Sequence, residues 1–259
     1  MGFGLIVIGD EIVSGKRQDR HFPRVVEMLR GRGLSLAWAH FIGDDRAAIT
    51  ALLRSTFAGD DVVFCCGGIG ATPDDHTRQA AAAALGVDLV LHPQAAELIA
   101  QRIAEMAAES GGSADLSLPE NRQRLKMGEF PAGAEILPNP FNRIPGFALG
   151  RHFFVPGFPV MAWPMIEAVL DTRFAGCFHR DARGERSFLV FGLAESTVTP
   201  LMEEIERDYA EVRVFSLPSV GEDGGRRHIE LGVRGPAPTV DEAFATLRAG
   251  VQALGGEIR

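Results

Sequence analysis

The feature that most constrains this 259-residue chain is the run Asp61-Val62-Val63-Phe64-Cys65-Cys66, which breaks on Gly67-Gly68-Ile69-Gly70 ahead of an alanine-rich stretch from Thr77. Consecutive apolar side chains give such a run no polar face, so it does not suit a sheet with one wet side. It reads as a central parallel strand, and parallel neighbours need crossover helices. The flanking sequence supplies them. Phe3 to Ile8 is a strand that ends on glycine, and Val25, Val26 and Leu29 recur at helical spacing within Pro23 to Arg32, before Gly33. Leu34 to Phe41 and Arg46 to Phe57 repeat the unit, Thr77 to Leu85 closes on Gly86, and Pro93 to Glu109 is another helical pattern. The expected fold is α/β, a three-layer, doubly wound and mostly parallel sheet.

From Ser110 the pattern loosens, with Pro119, Pro131, Pro138, Pro140 and Pro145 punctuating short segments. Phe147 to Val155 returns to strand character across a Gly150-Arg151 turn, followed by a helix from Val160 to Leu170. A second unit reads as strand Ser187 to Leu193, helix Pro200 to Tyr209, strands Val212 to Leu217 and Arg227 to Val233, and helix Val240 to Leu254. That βαββα order suits a small α+β unit. Two domains are expected, 1–180 and 185–259, with Asp181 to Gly184 as linker.

The net charge of −8 argues against a nucleic-acid surface, whose affinity rests on many basic groups neutralising phosphates. Cys65 and Cys66 are adjacent in an apolar run and Cys177 is distant, which offers neither a disulfide framework nor metal-ligand spacing. The apolar start is too short to span a membrane. A cytoplasmic protein without membrane or nucleic-acid partners is expected.

Chemistry concentrates after the central strand. Gly67, Gly68 and Gly70 let the backbone approach a ligand, and free amides at the next helix start attract anions. Thr72, Asp74, Asp75 and Thr77 follow. Bare carboxylates repel phosphate unless a cation or hydroxyl intervenes, so a bridging divalent metal or sugar hydroxyl contacts are inferred. The plainer alternative is that Asp74 or Asp75 caps the helix. Gly9-Asp10-Glu11 ends the first strand, and ligands in open α/β sheets bind beyond the carboxyl ends of strands. This reading brings Asp10 and Glu11 towards Asp74 and Asp75 as a hard-cation site; a solvent-facing carboxylate pair is the alternative. Ser14, Gly15 and Asp19 in the first loop, and Pro156-Gly157 opposite, complete the candidate walls. His76 is as compatible with a solvent-facing position as with a base, and Cys65 and Cys66 read as core. No Walker motif, nucleophile elbow or zinc spacing is present.

Gly9-Asp10-Glu11-Ile12-Val13-Ser14-Gly15, Cys66-Gly67-Gly68-Ile69-Gly70-Ala71-Thr72-Pro73-Asp74-Asp75-His76-Thr77-Arg78 and Val155-Pro156-Gly157-Phe158-Pro159 together resemble the amino-terminal domain of the competence/damage-inducible protein A (CinA) family, over roughly residues 3 to 172. The fold is similar to gephyrin-type molybdopterin-binding proteins of molybdenum cofactor biosynthesis. The resemblance implies a pocket for a pyranopterin phosphate or adenine nucleotide, and divalent-metal hydrolysis of the ADP-ribose pyrophosphate by some members. It assigns Asp10, Glu11 and Asp75 to catalysis, with Thr77 beside the ligand. It also implies a homo-oligomer, dimer or trimer. Where the family usually reads Asp-Thr-Asn, this chain has Asp19-Arg20-His21, so an asparagine expected near the ligand is replaced. The chain stops after the βαββα unit, so the family's carboxy-terminal amidase is not expected here.

Three functions fit these residues. One is a pyrophosphohydrolase in which Asp10, Glu11, Asp74 and Asp75 hold Mg2+ or a transition metal and metal-activated water attacks phosphorus. A second is a molybdopterin or nucleotide carrier or sensor without catalysis. The third is an oligomeric regulator acting through residues 185–259.

Overall fold

The computed structural model describes residues 1–179, 183–221 and 225–259, which form two compact units, Met1–Phe178 and His179–Arg259. Of the expected linker, Asp181 and Ala182 lie outside the described residues, while Arg183 and Gly184 already pair in a strand.

In the first unit, strand β1 (Phe3–Ile8) is followed by the short helix α1 (Asp10–Val13), α2 (His21–Arg30), β2 (Leu36–Ile42), α3 (Arg46–Phe57) and β3 (Val62–Cys66). Then come α4 (Thr77–Leu85), β4 (Leu89–Leu91), α5 (Pro93–Ser110), α6 (Pro119–Leu125), β5 (Glu129–Pro131) and β6 (Glu135–Leu137). β7 (Gly146–Leu149), β8 (His152–Val155) and α7 (Pro159–Arg173) complete the unit. The main sheet runs β2-β1-β3-β8-β7-β6. β2, β1, β3 and β8 are parallel, and β7 and β6 continue antiparallel. β4 and β5 pair separately.

Every residue of β1 and β3 is buried, as expected of strands covered on both faces. Their period-two alternation divides the core. Leu5, Val7, Phe64 and Cys66 face α2 and α7 through Val25, Leu29, Ala162 and Ile166. Ile6, Ile8, Val63 and Cys65 face α3, α4 and α5 through Ile49, Leu53, Ala80, Ala81 and Ala95. The result is the expected three-layer, doubly wound architecture. The chain leaves β1 for α2 on one face and leaves β3 for α4 on the other, so the two loops diverge and open a crevice at the strands' carboxyl ends.

Sequence and structure differ mainly at boundaries. α2 starts at His21, ahead of Pro23, because both carboxylate oxygens of Asp19 accept from backbone, His21 N and Phe22 N, each at 2.9 Å. The proline-punctuated stretch contains α6, β5 and β6; Pro119 stands in the first turn of α6, where its missing N–H costs nothing.

The second unit comprises β9 (Arg183–Phe191), α8 (Glu195–Asp208), β10 (Arg213–Ser219), β11 (His228–Pro236), α9 (Ala237–Ala253) and β12 (Glu257–Ile258). Its antiparallel sheet runs β10-β11-β9-β12. Val198, Ile205, Val240, Leu247 and Val251 of the two helices pack on Val190, Leu231 and Val233. This is the expected βαββα unit with one added edge strand. α8 begins at Glu195, and Pro200, read from sequence as a helix start, lies within it. No described helix is long and apolar enough to cross a membrane.

Candidate ligand-binding site

The crevice is built around Gly67. Its amide donates to Val155 O at 3.0 Å, its φ is 111°, and a Cβ there would collide with Ile8 O. A Cβ on Gly157 would lie 3.4 Å from Gly67 Cα. The ends of β1, β3 and β8 therefore meet at one residue, and only glycine permits both the close approach and the left-handed backbone. Thr77 fixes the loop from beneath. It is fully buried, its Oγ1 donates to Gly67 O at 3.0 Å, and its amide donates to Gly68 O at 3.0 Å.

Above this crossing lies a cleft of about 640 Å³, within the usual range for small-molecule sites of roughly 300–1,000 Å³. Its lining includes the charged side chains of Glu11, Arg17, Arg20, Asp44, Asp74 and Asp75 and the apolar ones of Met127, Ile144, Pro145, Phe158, Pro159 and Met161. Gly9, Gly67, Gly68, Gly70, Thr72, Pro156 and Gly157 also line it.

Several residues singled out in the sequence stand off the wall. Asp10 turns towards the β2–α3 loop, where its Oδ1 accepts from Asp44 N at 3.1 Å. Asp19 caps α2, and Thr77 is sealed beneath the loop. Ser14 and Gly15 are exposed beyond α1. Asp75 lines the cleft, but its Oδ2 accepts from both the amide of Thr72, at 2.8 Å, and the Thr72 hydroxyl.

Of the four expected metal-ligating acids, Glu11, Asp74 and Asp75 line the cleft and Asp10 does not. Among the described residues, no three His, Cys, Asp or Glu side chains come close enough to hold a metal ion. Sequence reading missed Asp44, which lines the cleft and whose Oδ2 accepts from Asp10 N at 2.8 Å. Burial pushes its carboxyl above the ordinary range, the Asp10 amide pulls it back, and the negative charges of Asp10, Glu11 and Asp74 raise it further. The available signal was position: Gly43-Asp44 follows β2 at the same sheet edge as Gly9-Asp10 follows β1.

Two further residues matter. His21, 4% exposed, pairs through Nε2 with Gly157 O at 2.9 Å and so joins the first loop to the third motif. Arg78, 3% exposed, donates to Gly70 O at 2.6 Å and to Lys126 O and Glu129 O, holding the end of the glycine loop.

Residues 4–175 match the family described as "Probable molybdopterin binding domain". The chain belongs to this molybdopterin-binding family. The three stretches that carry the sequence resemblance are the ones that converge on Gly67. A CinA-like protein of Anaeromyxobacter sp. is 30% identical over 89% of this chain and 58% of its own length. One of Syntrophotalea carbinolica is 32% identical over 80% of this chain and 50% of its own. The chain thus spans about half the length of such relatives. A Pyrobaculum calidifontis protein is 27% identical and matched over 93% of its length. The crystal structure of CinA from Thermoplasma acidophilum, described as of unknown function, superposes with a TM-score of 0.55 at 24% identity, covering 66% of this chain and 98% of that one. That likeness supports the molybdopterin-binding fold.

Proposed function

We propose that the cleft binds a phosphorylated small molecule carrying a flat heterocycle, a pterin phosphate or an adenine nucleotide, and that the chain acts through this binding as a carrier or sensor. The observation that carries the reading is the position of the cleft. It opens between the carboxyl ends of β1 and β3, where crossovers to opposite faces diverge, over a floor of glycine backbone. Arg17 and Arg20 supply positive charge for the phosphate, and the apolar lining side chains supply cover for the ring. The family description supports a pterin-type ligand.

Among the described residues the acids form no three-ligand metal set. Asp10 Oδ1 and Asp75 Oδ2 accept from loop amides and a hydroxyl, so a divalent ion would be held by one or two carboxylates together with the ligand's phosphate. No catalytic step is assigned through a metal. Titration calorimetry of the purified chain with AMP, ADP-ribose and dihydroneopterin monophosphate, with product analysis over a panel of divalent metals, tests the reading. Saturable binding without turnover supports it. Binding of none of the three, or metal-dependent release of AMP from ADP-ribose, overturns it.

A further inference from the structure

The cleft is also lined by a polar side chain whose orientation is fixed by its surroundings. Asn142 Oδ1 accepts from Asn139 Nδ2 at 2.8 Å and from Ile144 N at 3.0 Å, so both lone pairs are engaged. The amide is thereby oriented with only donors to offer, and Nδ2 has the weakly accepting sulfur of Met161 at 3.7 Å. The support behind it is firm. Asn139, 3% exposed, also donates to Ile144 O at 3.0 Å and accepts from Phe141 N at 3.1 Å. Arg143 next to it holds a left-handed φ of 62° and pairs with Glu105 at 2.8 Å. Phe158, whose carbonyl accepts from Met161 N at 2.9 Å, also lines the cleft and leaves 58% of its surface exposed. An exposed aromatic face and an amide donor with only a weak sulfur acceptor, lining the same cleft, suit a planar ring with an acceptor edge.

We propose that Asn142 and Phe158 form the ring-reading end of the cleft: the heterocycle lies against Phe158 and Met161 and turns a ring nitrogen or carbonyl oxygen to Asn142 Nδ2. This rests on the reading that the cleft takes a phosphorylated heterocycle, and it makes Asn142 a specificity-determining residue. The phosphate, held by Arg17 and Arg20, does not contact it.

Asn142→Asp separates the two ideas. An aspartate still accepts from Asn139 and Ile144 N, so the loop keeps its hydrogen bonds, but the donor becomes an acceptor facing an acceptor. AMP and dihydroneopterin monophosphate are expected to bind about tenfold more weakly or worse, with ribose 5-phosphate weakened less, by the added charge alone, and thermal unfolding unchanged. Phe158→Ala gives the same selective loss. Unchanged affinity for both ring ligands in Asn142→Asp, or an equal loss for ribose 5-phosphate, overturns the assignment and leaves the proposed function standing. Failure of the wild-type chain to bind either ring ligand overturns both.

Discussion

Asp10 and Asp44 each accept a hydrogen bond from the other's backbone amide, at 3.1 and 2.8 Å, so the loops after β1 and β2 are clasped by two carboxylates of like charge. The clasp orders the charged wall of the cleft and also concentrates negative charge there. Asp44 is raised by burial and by Asp10, Glu11 and Asp74, so its ionised form weakens the fold above its own pKa and this cost fades as pH falls. Asp44→Asn retains an oxygen for the Asp10 amide and removes one charge. It is expected to raise stability at pH 7 by up to about 1 kcal/mol in low salt, a gain that shrinks at high ionic strength. Urea unfolding at two salt concentrations checks this, and a net loss would mean that the carboxylate's hydrogen bond outweighs the repulsion.

Gly67→Ala places a Cβ against Ile8 O at a φ of 111°. The expected loss is about 2–4 kcal/mol, read from the urea midpoint, because backbone strain and a collision with main chain cannot be relieved by a side-chain rotation. A loss below about 1 kcal/mol would show that the three strand ends can separate cheaply.

His152 is 2% exposed, with Nε2 and Thr56 Oγ1 2.9 Å apart and the Phe57 ring packed against it, centroids 4.1 Å apart and planes tilted by 42°. Burial lowers its pKa from 6.5 to about 4. In the pH window between those values the unfolded chain takes up a proton that the folded chain refuses, so this residue's contribution to stability is complete above pH 6.5 and falls away towards pH 4. At about 1.4 kcal/mol per pKa unit the loss approaches roughly 3 kcal/mol. The difference between the stability–pH curves of wild type and His152→Gln isolates it from the carboxylates, and parallel curves would refute the assignment.

Arg78 makes no salt bridge among the described residues and instead serves three backbone carbonyls, Gly70, Lys126 and Glu129. Burial lowers its pKa while the charges of Glu129 and Asp75 oppose that. Arg78→Met is expected to cost about 2–3 kcal/mol by leaving these acceptors unpaired. Arg78→Lys recovers only part, since an ammonium lacks the guanidinium fork. Chemical denaturation of both variants measures the ordering, and equal stability of the two would contradict it.

The fold was legible where a single physical rule decides the outcome. β1 and β3 are too apolar to be anything but covered strands, and α4 ends where Gly86 takes a left-handed φ of 69°. Less was legible where proline has two meanings. Pro119 marks the start of α6 whereas Pro200 lies inside α8, and β12 is too short to carry a pattern. At the site, spacing located the three stretches that meet at Gly67 but not the directions of their side chains. Asp19 and Thr77 face their own loops because each has a nearby amide or carbonyl to satisfy, and Asp10 faces the β2–α3 loop, whose Asp44 amide it accepts from; no such bond can be read from residue type alone. Asp44 and Asn142 act through partners distant in sequence or through a fixed amide orientation, which only the folded loops reveal.

The glycine floor has an evolutionary consequence. Because Gly67 and Gly68 cannot acquire side chains without colliding with Ile8 O and Thr77 Oγ1, mutation has almost no means of repainting the bottom of the cleft. Heritable changes in ligand preference are channelled to the rim, where Arg20, Asn142 and Phe158 can be exchanged while the crossing beneath them stays as it is.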